Sequence, residues 1–163
     1  MLLGDRTGSL AAMTRQDAIT LFLSRAANQT RLGAPWGNCL EACYAALLGV
    51  PLSAVPDPRN HARSEREAYR LLPARTAAIS AWLAQRGYAA ITGSRAQGGP
   101  GKRRADGLPL FWIASGPSER GLQHATVYAD NRLVFDPHPS KAGLLAVSLW
   151  TVVVPLGPLW ARC

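Results

Sequence analysis

The sequence predicts an α+β fold, with helices first and an antiparallel sheet after them. Two observations carry this. Up to about residue 86, apolar side chains recur at helical spacing between capping residues and glycine or proline breaks. From Leu108 the apolar runs become richer in β-branched and aromatic residues, and two of them flank the two-residue step Asp130-Asn131, a hairpin signature. No internal repeat appears. At 163 residues and 48% hydrophobic, the chain is long enough for one domain with a real core.

The elements follow in order. Residues 1–13 carry Gly, Ser and Thr and read as a flexible leader; residues 14–163 read as one domain. Thr14-Arg15-Gln16-Asp17 resembles a capping box, and Ala18, Ile19, Leu21, Phe22, Leu23 and Ala26 give an amphipathic helix to about Ala27. A polar, Gly/Pro-bearing connection leads to Gly37-Asn38-Cys39. An Ala/Leu-rich helix starts there and is ended by Gly49 and Pro51. Arg59, Arg63, Arg66 and Arg70 fall four, three and four apart, which on a helix makes one basic stripe, read as a solvated face relieved by Glu65 and Glu67. A further helix is expected from about Arg75 to Arg86, with Gly87 as its C-cap.

Tyr88 to Thr92 is a plausible strand. Residues 93–107 are glycine-rich and basic and read as a mobile surface loop. Leu108 to Ala114 is an expected buried strand and Ser115 to Gly121 a tight loop. His124–Ala129 and Arg132–Phe135 form the hairpin, Asp136-Pro137-His138-Pro139-Ser140 leaves it, and Leu144 to Val154 is a long last strand. Pro155 to Cys163 is a proline-broken tail. The five tryptophans read as core and rim.

Charge and cysteine content bound the function. The formal net charge is +8, almost all from arginine, since Lys102 and Lys141 are the two lysines. That balance fits contact with nucleic acid or another acidic partner, or simply a solvated basic surface. No run approaches ~18 apolar residues, so no transmembrane helix and no membrane partner are expected. Asp5 and Arg6 interrupt the first apolar residues, which argues against a signal peptide. The cysteines are Cys39, Cys43 and Cys163. The first two are one helical turn apart, about 6 Å between Cβ atoms and too far for an easy disulfide. A reducing, cytoplasmic setting is the expectation.

The chemistry centres on Cys39. Unpaired N–H groups and the positive end of the helix dipole lower a thiol's pKa at a helix start. His124 opens one strand of the hairpin and Asp136 follows the next, so the hairpin alone sets an imidazole beside a carboxylate. Together the three supply a nucleophile, a general base and an orienting acid. Cys43 reads as core packing. Ser115, Gly116, Ser118, Arg120, His138 and Trp36 are candidate substrate contacts around this centre.

These blocks also carry a resemblance. The Gly-Asn-Cys helix start, the strand His124-Ala125-Thr126-Val127 and the later Asp136-Pro137 look like the papain-like cysteine peptidase superfamily, in its compact bacterial and phage type with Cys, His, Asp order, similar to the bacteriocin-leader peptidases. The resemblance covers a third to a half of the chain. It implies a papain-like fold and a thiol hydrolase that needs no cofactor. The activity implied is cleavage of a peptide, amide or isopeptide bond in a peptide or protein substrate through a Cys39 acyl-enzyme. Such enzymes usually carry an oxyanion-binding Gln about six residues before the cysteine, where this chain has Gly33. Asn38 and Gln29 are the remaining amide candidates for that role, beside the Cys39 backbone N–H.

Other functions use the same residues. Acyl transfer or deamidation needs the same constellation with a different acceptor. Cys39, Cys43, His124 and His138 could furnish a zinc site, though the histidines lack the usual paired spacing. A catalytically silent papain-like module for an acidic or nucleic-acid partner would rest on the charge and the basic loop at 95–104.

Overall fold

The computed structural model describes residues 13–100 and 106–157. The expected leader lies outside the described residues except for Met13, as do the end of the tail with Cys163 and the basic part of the 93–107 loop. The described chain is α+β: four α-helices come first, and a five-stranded antiparallel sheet follows them.

Helix α1 spans Arg15–Arg25, and its start is the expected capping box. Thr14 Oγ1 accepts the Asp17 N–H while Asp17 Oδ2 accepts the Thr14 N–H, satisfying two groups that a helix end leaves open. Phe22 is its buried residue. Its ring stacks on Phe111 at 4.8 Å and meets Phe135 edge-on at 6.1 Å, which fixes α1 to the sheet.

Helix α2 spans Cys39–Leu48 and is the central element. Residues 41 to 46 are all buried, so this helix is enclosed on most sides. Its alanines at 42, 45 and 46 are small enough for close packing. Gly49 ends it at φ 63°, a left-handed conformation that costs glycine nothing. Helix α3 (Glu65–Arg70) is short and leads into α4 (Leu72–Gln85), which buries Ile79, Trp82 and Leu83.

The sheet order is β1-β5-β2-β3-β4, with strands Tyr88–Ser94, Leu149–Pro155, Phe111–Pro117, Gln123–Ala129 and Arg132–Phe135 in that order across it. Ile113, Ala125, Val127 and Phe135 join residues of the helices in one core. On the alternate positions Trp112 and Tyr128 stack on each other at 4.8 Å, as the period of two requires.

The β3–β4 hairpin turns at Asp130-Asn131, and Asp130 takes φ 51°. A register shift between Val127 and Tyr128 adds one residue on β4. It pairs Phe135 with Val127 instead of Thr126, and a one-residue slip exchanges the faces. Phe135 is thereby in the core, and Asp136 leaves the strand directly behind it.

Four expectations are corrected. Arg59 is not on a helix with Arg63, Arg66 and Arg70: it sits in a 3-10 turn, Pro58–His61, and is buried at 2% exposure. Helix α4 starts at Leu72, three residues early, because Pro73 fits a first helical turn. Ser115 to Pro117 belongs to β2 and is not loop. The last strand begins only at Leu149, because Leu144 to Ser148 crosses the end of β2, bonded through Leu145 N–H to Pro117 O and Ser148 N–H to Ser115 O, both at 2.8 Å.

Candidate active site

Cys39 is the first residue of α2, at the end of the helix that carries positive partial charge. Helix α2 packs on β3, which holds His124 and Ala125. Cys39 and His124 line the same cavity, and the imidazole and the Ala125 N–H both act on the thiol to lower its pKa. On its other side His124 Nε2 is 2.7 Å from Asp136 Oδ1, so Nδ1 is the nitrogen left for Cys39. The three residues named from the sequence are thus brought together in the expected order.

Asp136 is held on all sides. Oδ1 also accepts the His138 N–H, and Oδ2 accepts the Gly143 N–H, each at 2.8 Å. Burial raises its pKa, but the His124 hydrogen bond and these two N–H groups overcome that and bring it down to about 2. Burial lowers the His124 pKa; the bonds to Asp136 and Cys39 outweigh this and lift it to about 9. For Cys39 burial favours the thiol, yet His124, the Arg75 charge and the Ala125 N–H leave its pKa below the ordinary value. All three directions favour a thiolate beside an imidazolium at neutral pH.

The turn that delivers Cys39 rests on a buried charge network which the sequence reading missed. Asp57 accepts from Arg59 through both oxygens and from Arg31. Arg59 in turn donates to Pro35 O at 2.6 Å, Gly37 O at 3.2 Å and Glu41 Oε1 at 3.2 Å. Glu41 takes a two-pronged bond from Arg75. The network therefore clamps the carbonyls just before Cys39, and the Arg75 charge it holds on the cavity wall helps lower the thiol pKa. One sequence feature pointed to it: Glu41 is the sole charge between Cys39 and Val50, in a helix otherwise fit for burial.

The two amide candidates separate. Asn38 is buried but points away from the reaction centre: Oδ1 accepts the Thr30 and Arg31 N–H groups, and Nδ2 donates to Thr30 Oγ1 at 3.0 Å. Its role is to tie the 30–31 strand of chain to the helix start. Gln29 lines the cavity over Cys39, with Nε2 donating one hydrogen to Arg31 O at 2.8 Å and a second N–H left over. Its Oε1 is buried without a partner among the described residues. Gly33 also lines this cavity, so the segment expected to carry the oxyanion donor is at the site.

That cavity has a volume of about 540 Å³, within the range of ligand sites. Arg120 and His138 line it with Cys39 and His124. Trp36, Ser115, Gly116 and Ser118 do not. Ser118 is buried, and its hydroxyl closes the 118–122 turn on Leu122 O at 2.9 Å. Gly116 is where residue 146 crosses the sheet: a Cβ there would lie 2.0 Å from Ala146 O.

The zinc set does not converge. Cys43 is fully buried, and burial pushes its thiol well above the ordinary pKa. His124 spends Nε2 on Asp136 and His138 holds Ser140 through Nδ1. Among the described residues no group of three or more His, Cys, Asp or Glu side chains is arranged to hold a metal ion. Nor, among them, is any helix long and apolar enough to cross a membrane. No family model, curated protein or solved structure matches the chain, so the site speaks through its own geometry.

Proposed function

We propose that the protein is a thiol-dependent hydrolase of the papain-like type that cleaves a peptide, amide or isopeptide bond through a Cys39 acyl-enzyme. The observation that carries this reading is the Cys39–His124–Asp136 chain, with its thiol pKa lowered and its imidazole pKa raised.

The steps follow from the protonation states. The Cys39 thiolate attacks the carbonyl carbon, and the carbonyl oxygen takes up the negative charge. The Cys39 backbone N–H at the helix start and the spare Gln29 amide hydrogen are the donors nearest in kind to what that oxygen needs. As the tetrahedral intermediate collapses, His124 gives its proton to the leaving amine, and the acyl group stays on sulfur. Water then enters, His124 takes its proton, hydroxide adds to the thioester carbon, and the carboxylate product leaves with the thiolate restored. Asp136 keeps the ring oriented and the imidazolium stabilised throughout.

The test is a mixture of peptides digested in water enriched in heavy oxygen. Wild type should create new C-termini that carry the label, and Cys39→Ala should create none. Hydroxylamine added to a stalled reaction should release acyl groups from wild type. If wild type and Cys39→Ala give identical peptide profiles and no acylated Cys39 is trapped, the hydrolase reading is wrong.

A further inference from the structure

We infer that the cavity over Cys39 selects substrates with a carboxylate close to the bond attacked, and that Arg120 is the residue that meets it. The inference rests on the thiol-hydrolase reading above and adds the substrate class to it.

Apart from the Cys39 sulfur, the cavity wall carries arginines and histidines and no carboxylate. Arg59, Arg75 and Arg120 line it with His124 and His138, and no Asp or Glu does. Two of the arginines are already answered from behind, Arg59 by Asp57 and Glu41 and Arg75 by Glu41. Arg120 differs: among the described residues no carboxylate lies within ion-pair distance of it. One N–H, from Nη1, donates to Ser140 Oγ at 3.0 Å, which orients the guanidinium and leaves the rest of its donor fork available.

Arg120 is exposed on the cavity wall, and the turn that carries it is closed. It lies in the turn directly before His124, closed by Ser118 N–H to Leu122 O at 3.0 Å and by the Ser118 hydroxyl. Ser140 bridges it to His138, whose Nδ1 accepts from the Ser140 N–H at 3.1 Å. The His138 ring sits edge-on to His124 with centroids 6.0 Å apart. Burial, and after it the Arg120 charge, depress the His138 pKa, so the positive field of this side chain reaches the wall of the site. Leu32, Tyr69 and Leu122 are exposed on the same cavity and offer apolar contact to the rest of a substrate. An exposed guanidinium that no carboxylate answers, on the same cavity as a nucleophile and near apolar side chains, is matched by an amide whose carboxylate takes a two-pronged bond.

Two small thiol reagents test this before any natural substrate is known. Iodoacetate carries a carboxylate and iodoacetamide does not; both are attacked by Cys39 with loss of iodide. Rates are measured at low salt and pH 7 and divided by those of a free cysteine derivative. Wild type should prefer iodoacetate by about tenfold on this scale. Arg120→Gln should bring the ratio to near one, Arg120→Glu should invert it, and 0.5 M salt should erode the wild-type preference.

An equal ratio in wild type and Arg120→Gln overturns the assignment, even if both label fast. Failure of either reagent to label Cys39 faster than the free thiol overturns the hydrolase reading instead, and the selectivity with it. Two reagent pairs then separate the sources of the carboxylate. Chloroacetyl-glycine against its amide places the charge at a chain terminus, and acyl-glutamyl against acyl-glutaminyl chloromethyl ketone places it on a side chain. The pair with the larger Arg120-dependent ratio identifies the source, and a dependence in neither sinks the proposal.

Discussion

His124 Nε2 and Asp136 Oδ1 lie 2.7 Å apart, with both side chains almost wholly buried. Neither residue fixes the other alone. The hairpin sets the two on neighbouring strands, and the His138 and Gly143 N–H groups hold the carboxylate so that one oxygen faces the ring. A carboxylate bound this way stays an anion down to about pH 2, and its hydrogen bond to His124, together with Cys39, outweighs burial and keeps the imidazole protonated.

Asp136→Asn tests that dependence. The substitution removes the anion and turns one donor of the new amide toward an existing N–H. The His124 pKa should fall from about 9 toward the ordinary histidine range, with only Cys39 left to raise it, as read by the ring protons in an NMR titration. The protein should be destabilised by about 1–3 kcal/mol. For wild type the sign is also set. The folded Asp136 pKa of about 2 lies below the unfolded value, so its stabilisation is present above about pH 4 and is lost as pH falls toward 2. Denaturant melts at pH 5 and pH 3 should differ accordingly, and the Asn variant should show a smaller difference.

The thiolate of Cys39 predicts a pH profile of alkylation. With iodoacetamide the rate should rise across a pKa below that of free cysteine, because His124, Arg75 and Ala125 together outweigh burial. His124→Ala should return the midpoint to the free-cysteine range or above and slow labelling at pH 7 by at least about tenfold. A wild-type midpoint at or above that of free cysteine would show that burial wins. Cys43 should remain unlabelled throughout, since it is buried and its thiol pKa is raised.

The juxtaposition of Cys39, His124 and Asp136 is legible because each occupies a boundary that local chemistry marks: a helix start, the opening of a strand and the residue after a strand. The charge network under Cys39 was not legible. Arg59 looked like one member of an exposed stripe, since spacing alone does not distinguish a helix from a 3-10 turn followed by a break. What decides its fate is Asp57 two residues earlier and Glu41 eighteen earlier, and the second is a long-range contact no local pattern records. The last strand was overextended for a related reason. Leu144 to Ser148 has the composition of a strand, but its hydrogen bonds go to the end of β2 as a crossing. For Asn38, an amide beside a nucleophile suggests catalysis, whereas its three side-chain bonds hold residues 30 and 31.

Arg59→Met should be among the most damaging single changes away from the reacting groups. It leaves Asp57 without its main partner and the carbonyls of Pro35 and Gly37 without their donor, at a side chain that is almost wholly buried. Removing one partner of a buried charge set costs about 3–5 kcal/mol. Arg59→Lys should recover only part of this, since one ammonium cannot span Asp57, Pro35, Gly37 and Glu41 together. Chemical denaturation of the three proteins gives the order, and equal stability of wild type and the Met variant would show the network to be energetically idle.

Gly116→Ala probes the contact between the sheet and the crossing segment. The added Cβ would fall 2.0 Å from Ala146 O, with Ser148 N at 3.2 Å, and both are backbone atoms that no rotamer change can move. The segment must therefore lift, breaking the bonds of Leu145 to Pro117 and Ser148 to Ser115 that flank the glycine. Gly116 is paired with His124 across β2 and β3, so the strain is delivered one strand away from the imidazole. Overpacking of this kind costs about 1–3 kcal/mol, and a loss near the upper end should lower Tm by roughly 6–12 °C for a chain of this size. Iodoacetamide labelling of Cys39 should slow as well, because the histidine that lowers its pKa is displaced. Gly99→Ala is the control: nothing lies within 4 Å of its added Cβ, so Tm should hold within about 2 °C. Should Gly116→Ala melt with Gly99→Ala, residues 144–148 do not press on β2.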